Sequence, residues 1–341
     1  IRLSLVGSEM CIRDRWAFDE DALWLPMATP ILVQLPFALM VGLSSQYLVE
    51  RRKVRTIGRA LEMYVPESVV RDLAGAGVDL DSVNRVVYGT CLANDMSGFT
   101  AVSEGKSAKE LARFMNAYFD AMAQPLKRYG VDVTEFHADT IMCAWTRNQE
   151  SPAMRRNCLL GAIGVLAAME AFNKAEGANL SARIGLQDGD FYLGHTGGGG
   201  RMAYSILGDP ANTASRLEEM NKHLGTQILA GRTVVDGVEG IVVRPVGSFK
   251  LLGKGEGTPT VQVLGESENA TPAQIRLCEE FAVALGLFEQ GRWQDALESF
   301  SAILERYPDD GPSGFYASVC RDKLEAGVPA EPPAPLVMTS K

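Results

Sequence analysis

Leu92-Ala93-Asn94-Asp95-Met96-Ser97-Gly98-Phe99-Thr100 is the stretch on which the reading of this chain turns. An apolar run ends on a carboxylate, and a glycine-containing turn then leads toward a helix. That order puts Asp95 at a strand tip, with the backbone amides of Ser97, Gly98, Phe99 and Thr100 able to face an anion beside a metal on the carboxylate. Phosphate with a divalent ion is the natural ligand. An Asp at a strand end is more often a turn or cap residue, so the stretch needs a second carboxylate. Glu135-Phe136-His137-Ala138-Asp139-Thr140-Ile141-Met142 supplies one, with Asp139 in a tight hairpin between two apolar strands. If the strands at 86–94 and 131–136 are neighbours, Asp95 and Asp139 meet at one sheet edge. Two carboxylates there can bridge two divalent ions roughly 3.5–4 Å apart, the arrangement in-line phosphoryl chemistry requires.

Outward from these motifs, residues 85–264 alternate between strand-like runs and helical periods. Strands are expected at 86–94, 131–136, 141–145, 182–187, 190–196, 204–207, 226–230, 242–251 and 258–264, and helices at 107–128, 152–173 and 212–224. Ser107 with Glu110 is a capping-box signature. The order strand, helix, hairpin, helix, hairpin predicts an α+β fold of the ferredoxin-like palm type, βαββαβ with additions, rather than a doubly wound sheet.

Composition bounds the function. The 341 residues are 46% hydrophobic, enough for a sizeable core, and 33 basic against 42 acidic side chains give a net charge of −9. That charge argues against a nucleic-acid polymer as partner, because such binding needs many cations, while a small nucleotide with a metal stays open. Six cysteines are scattered with no CxxC pair, which supports neither a disulfide framework nor a zinc site.

Several motifs, in order, resemble the catalytic domain of class III adenylate and guanylate cyclases, over about residues 85–265. Asn94 to Thr100 is similar to the first metal motif, and Asp139 sits where the second metal Asp is expected. Arg183-Ile184-Gly185 with Gly189 and Gly194 resembles the hairpin before the dimerisation region. Gly208-Asp209-Pro210-Ala211-Asn212-Thr213-Ala214-Ser215-Arg216-Leu217-Glu218 is similar to the segment supplying the transition-state Asn and Arg, and Phe249-Lys250-Leu251-Leu252-Gly253-Lys254-Gly255 to the triphosphate-binding Lys region.

The resemblance implies Asp95, Met96 and Asp139 as metal-binding positions for two Mg2+ or Mn2+ ions. It implies Asn212 and Arg216 as catalytic residues, and Ser97, Gly98, Phe99, Thr100, Glu135, Ser205 and Lys254 as nucleotide contacts. It further implies conversion of ATP to 3',5'-cyclic AMP and pyrophosphate in a homodimer with two composite sites. At the two base-reading positions stand Glu135 and Ser205, a pair that fits neither the usual adenine nor the usual guanine pattern, and Ala138 stands where Gly is usual. ATP is the expected substrate, GTP the alternative. A catalytically degenerate cyclase-fold module for signalling or nucleotide binding is the reading from a different class.

The flanks complete the expected domain plan. Residues 1–21 are read as a leader whose first fifteen positions, including Leu5-Val6-Gly7-Ser8-Glu9-Met10-Cys11-Ile12-Arg13-Asp14-Arg15, resemble a translated sequencing-adapter run. From 22 to 43 every residue is apolar, Gly or Pro apart from Thr29 and Gln34, long enough for a membrane span. Asp19, Glu20 and Asp21 precede it and Arg51, Arg52, Lys53 and Arg55 follow it, which by the positive-inside rule puts the remainder in the cytoplasm; the resemblance implies that the membrane is a bacterial inner membrane. Residues 44–83 read as a coupling helix or linker and 84–267 as the catalytic domain. Residues 268–327 read as a helical hairpin, its Phe288 to Leu297 stretch resembling one tetratricopeptide-type unit, and the proline-rich 328–341 as a disordered tail. Membrane stem and tail resemble sensor-linked bacterial cyclases with an upstream CHASE-type domain, which this chain is expected to have lost.

Overall fold

The structure is a computed structural model that describes residues 34–61, 84–147, 149–199 and 201–337. The chain divides into two compact units, Ile1–Arg71 and Asp72–Lys341. The described element of the first is helix α1 (Leu35–Leu61). Pro36 lies in its first turn, where a missing N–H costs nothing. Leu35, Phe37, Leu39, Met40, Val41 and Leu43 are all exposed along it. Of the span expected at 22–43, residues 22–33 lie outside the described residues, as does 1–21. The helix does not stop at 43, since no Gly or Pro interrupts the following turns, and it runs on through Arg51, Arg52 and Lys53. The linker's residues 62–83 lie outside the described residues.

The second unit is built on a nine-stranded sheet. Its strands are β1 (Arg85–Ser97), β2 (Val133–His137), β3 (Thr140–Arg147), β4 (Ser181–Gly198), β5 (Arg201–Leu207), β6 (Ile228–Gly231), β7 (Ile241–Lys250), β8 (Thr258–Glu266) and β9 (Leu336–Val337). They run in the order β2-β3-β1-β4-β6-β8-β7-β9, with β5 paired to β4. The two strands expected at 182–187 and 190–196 form one, because β1 pairs with β4 from Arg85↔Leu193 to Ser97↔Ser181 and carries the ladder across the polar Gln187-Asp188.

Helices α2 (Phe99–Glu104), α3 (Ala108–Arg128) and α4 (Pro152–Glu176) follow β1 and β3. Ser107 and Glu110 form the expected capping box at the start of α3. Leu92, Tyr118, Met122, Trp145, Leu159, Val165 and Ile184 make the first core, between these helices and the sheet. Among the described residues α4 is long and apolar enough to cross a membrane, but 44% of its most apolar window is buried inside the protein and it serves as the core helix.

A second core joins helix α5 (Asp209–Leu224) and β7 to the C-terminal segment. That segment is not the two-helix hairpin expected: it holds three helices, α6 (Pro272–Glu289), α7 (Trp293–Arg306) and α8 (Gly311–Glu325). Gly311-Pro312-Ser313-Gly314 reads as a turn in sequence. In the fold, Pro312 occupies the first turn of α8 and the Asp310 carboxylate accepts from the Ser313 amide at 3.1 Å. Phe281, Phe288, Phe300 and Tyr316 form an aromatic cluster in this core, Phe300 stacked on Tyr316, Phe288 edge-on to Tyr316 and Phe281 tilted against Phe300. Each large buried side chain contributes about 1.5–3 kcal/mol.

The tail also departs from expectation. Residues 328–337 dock rather than remaining disordered: Trp293 Nε1 donates to Pro329 O at 2.9 Å, and β9 pairs with β7. Proline fixes φ before folding, so ordering this segment costs less entropy than its composition suggests. Residues 338–341 lie outside the described residues.

Candidate active site

β1 delivers Asp95 to the end of the sheet. Its neighbour is β3 and not β2, as the Asn94↔Ile141 register shows, so the adjacency expected between 86–94 and 131–136 is replaced by one strand's displacement. The carboxylates still share an end, because Asp139 closes the β2–β3 turn and leads directly into β3. Thr140 Oγ1 lies 3.5 Å from Asp95 Oδ1. Burial above all raises the pKa of the Tyr118 hydroxyl well above its ordinary value, against the hydrogen bond from Asn94, and the charges of both Asp95 and Asp139 add to the rise. Asn94 Nδ2 donates to that hydroxyl at 3.1 Å, which ties the strand end to α3.

The turn after Asp95 uses glycine of necessity: Gly98 has φ +94 and caps α2 without a side-chain hydrogen bond. The first-turn amides of α2, including that of Thr100, are therefore uncapped by any side chain at this position. Ser97 and Phe99 are half-buried beside it and Gly98 is exposed. Met96 is only 2% exposed, its thioether in the first core, so only its backbone oxygen remains to face an ion. Ala138, between the hairpin strands, is the one non-glycine residue among those described with positive φ, at 53°.

Reading the motifs one at a time overlooked Arg183. It stands directly opposite Asp95 on β4 and grips it, Arg183 Nη2 to Asp95 Oδ2 at 2.5 Å, while its Nε donates to Glu218 Oε1 on α5 at 3.0 Å. The available signal was an arginine between Ala182 and Ile184, within the apolar first half of β4. Burial works against the charged guanidinium, but the hydrogen bonds to Asp95 and Glu218 outweigh it and raise its pKa. Burial, and after it the Asp95 charge, push Glu218 from 4.5 up to about 7.

Helix α5 lies hard against β4 at Gly185, where a Cβ would run into the Ala214 carbonyl and the Glu218 amide of the helix backbone. Asn212 is exposed in its first turn and Arg216 half-buried one turn later, on the same face. Below Arg216 passes the loop after β7: a Cβ on Gly253 (φ +75) would sit 3.4 Å from Arg216 Nη2. Lys254 Nζ reaches Asp209 Oδ2 at 2.5 Å. Asn212, Arg216 and Lys254 thus gather on one side of α5. Glu218 lies two residues on from Arg216, about 200° around the helix, and faces Arg183 and Asp95.

Glu135 and Ser205 are brought to neighbouring positions. Glu135 Oε1 accepts from the Ile206 amide at 2.6 Å, and His137 Nε2 lies 2.9 Å from Oε2. Ser205, one residue before that amide, is half-buried.

The donors at the Asp95 end are oxygens: two carboxylates, a threonine hydroxyl and backbone carbonyls. That set suits a hard cation such as Mg2+ or Mn2+ rather than a soft one. Among the described residues no group of three or more His, Cys, Asp or Glu converges, so substrate and water would complete the shell.

Residues 83–263 match the family described as the adenylate and guanylate cyclase catalytic domain. Adenylate cyclase 1 of Rhizobium meliloti (strain 1021) is 29% identical over 246 residues, 71% of this chain and 36% of that protein. An adenylate cyclase of Anabaena cylindrica is 26% identical over 203 residues, 57% of this chain and 39% of that protein. The chain therefore spans well under half the length of these curated relatives. A bacterial light-regulated adenylyl cyclase superposes with a TM-score of 0.54 at 20% identity, over 66% of this chain and 64% of that one, which shows the shared fold. With the match covering more than half of its length, the chain belongs to the adenylate and guanylate cyclase catalytic domain family.

Proposed function

We propose that the protein is a nucleotidyl cyclase acting on ATP, forming 3',5'-cyclic AMP and pyrophosphate. The observation that carries this reading is the convergence of Asp95 and Asp139, 44 residues apart in sequence, at one end of the β1–β3 pair. Asp95, Asp139 and the Met96 carbonyl would hold Mg2+ or Mn2+, which when bound lowers the pKa of the attacking hydroxyl and neutralises phosphate charge. Arg183 holds the Asp95 carboxylate in place through its ion pair. Asn212 orients the ribose so that its 3'-oxygen lies in line with the α-phosphorus, and Arg216 neutralises charge growing on the α-phosphate oxygens. Lys254 draws the terminal phosphates toward α5, and the uncapped amides after Gly98 add donors. The 3'-oxygen forms its bond to phosphorus as the bond to the β-phosphate oxygen breaks, the hydroxyl proton leaves to solvent, and pyrophosphate departs.

The opposed faces of α5 support two such sites in a homodimer: Asn212, Arg216 and Lys254 lie on one side and the Asp95 end on the other, so that each half would be completed by a partner. For the base, the Glu135 oxygens already bonded within the chain favour ATP. GTP is the second reading, since a carboxylate at this position accepts from the guanine N1–H and amino group. Residues 22–43 would anchor the chain in a bacterial membrane with the catalytic unit on the cytoplasmic side, in keeping with the exposed apolar side chains of α1 and the basic residues after them.

The test is product analysis of the purified protein with ATP and with GTP, under Mg2+ and then Mn2+. Cyclic AMP as the main product is the result expected. Cyclic GMP as the sole product shifts the substrate to GTP, and no cyclic nucleotide with either metal sinks the enzymatic reading in favour of a degenerate signalling module.

A further inference from the structure

The loop after β7 ends on Lys254 and lies under Arg216, yet β7 stands at the rim of the sheet. Without β9 it would be an edge strand, free to fray at the residues that launch the loop. The C-terminal segment prevents this at two places. Leu336 and Val337 pair with Phe249 and Lys250, the last residues of β7. Pro335 closes on Gly257 at the far side of the loop, where a Cβ would come within 2.7 Å of the proline ring. The strap therefore pairs with the two residues that launch the 251–257 loop and meets its last residue, Gly257.

Its other end is fixed. Trp293 Nε1 holds Pro329 O at 2.9 Å, Lys323 Nζ lies 5.2 Å from the Trp293 ring centre, and Gly291 sits against the Glu331 backbone. Between the strap and α6, α8 and β7, a cavity of about 110 Å³ remains, lined by Gly247, Leu285, Phe288 and Tyr316 among others. The strap is thus pinned at its ends and less tightly packed between them. Inside the loop, the Lys254 amide donates to Leu251 O at 2.9 Å, and Leu251 is buried in the second core. The backbone of Lys254 is consequently set by the end of β7 and the end of β7 by the strap, while its ammonium is met by Asp209 on α5.

We propose that residues 329–337 are a positioning strap for the triphosphate: by closing the edge of β7 they hold the 251–257 loop so that Lys254 meets the terminal phosphates beside Arg216. This rests on the role assigned to Lys254 in the proposed function. Leu336, Pro335 and the Trp293 anchor are positioning residues and touch no substrate.

The experiment uses the full chain with Leu336→Asp, which puts a charge where a half-buried leucine meets the second core, and with Trp293→Phe, which removes the indole donor to Pro329 O together with the second ring of a buried side chain. Affinity is measured for 3'-deoxy-ATP with Mg2+, a probe that lacks the attacking hydroxyl and binds without reacting. Amide hydrogen exchange of residues 251–257 is read in parallel. Leu336→Asp is expected to accelerate exchange in 251–257 while α6–α8 stay protected, and to weaken the probe about tenfold, the scale of one charge-assisted contact. Trp293→Phe shows the same pattern, more weakly. Lys254→Ala alone should weaken the probe by a similar factor, and the double variant Lys254→Ala/Leu336→Asp no further, because both act through one contact.

If exchange in 251–257 is unchanged in both strap variants, or if the two losses of affinity simply add, the strap proposal is overturned. Lys254→Ala weakening the probe while Leu336→Asp and Trp293→Phe do not overturns the strap alone. Unaltered binding by Lys254→Ala overturns the assigned role of Lys254, and the strap's effect on phosphate with it.

Discussion

At the residue scale, Ala138 and Glu218 carry the clearest costs. Ala138 holds φ 53° in the two-residue turn that presents Asp139, a conformation that crowds Cβ against the carbonyl. Ala138→Gly removes that clash at some cost in unfolded-state entropy, and should raise stability by up to about 1 kcal/mol in urea melts. Glu218 is different in kind, its folded pKa of about 7 lying above the ordinary 4.5. Below 4.5 the group is protonated in both states. Between 4.5 and 7 the folded chain keeps a proton that the unfolded chain has lost, so stability of the metal-free protein falls as pH rises through that window and levels off above it. Glu218→Gln should flatten this slope, and an undiminished slope would show that another group titrates.

At the element scale, the C-terminal helices are fused to the catalytic unit by a buried ion pair. Arg244 on β7 is 1% exposed, reaches both Asp310 oxygens at 2.5 and 3.2 Å, and stacks over the Phe281 ring at 4.5 Å. Its Nε donates to Gln262 at 2.8 Å, and Tyr316 donates to Val246 O at 2.6 Å nearby. Asp310→Ala leaves an uncompensated buried cation and strips the cap from α8, and should cost about 3–5 kcal/mol. Adding Arg244→Met should restore much of that loss, because the cost lies in the orphaned charge rather than in the missing bond. Thermal or urea unfolding of the two variants measures both effects. Helices this deeply joined to β7 and α5 share one hydrophobic core with them.

At the scale of the whole molecule, α5 separates Asp95 from Arg216 within one chain, and the composite-site reading can be tested by mixing. Asp95→Asn and Arg216→Ala should each be nearly inactive, since every homodimer carries the same lesion in both sites. In a heterodimer one site bears both lesions and the other none. Activity should return to about half that of the wild type per heterodimer, and to about a quarter overall under statistical exchange, a count set by two-fold symmetry. Folded variants that exchange subunits and remain inactive together would exclude the composite site. For the first unit, a full chain that is recovered in the soluble fraction without detergent would remove residues 22–43 as an anchor.

Local pattern was enough for what depends on neighbours in sequence. The capping box at Ser107 and Glu110, the hairpin that presents Asp139, the spacing of Asn212 and Arg216 on one helical face and the α+β order of elements were all legible, because each is set within a few residues by backbone sterics and periodicity. What tertiary structure alone decided was everything that depends on a partner far along the chain. The placing of β3 beside β1, the grip of Arg183 on Asp95, the third helix held by Asp310 against Arg244, and the docking of a proline-rich tail on β7 each join residues tens of positions apart. Their energies come from burial and from ion pairs formed only once the sheet has assembled, so no window of sequence contains both halves of the interaction.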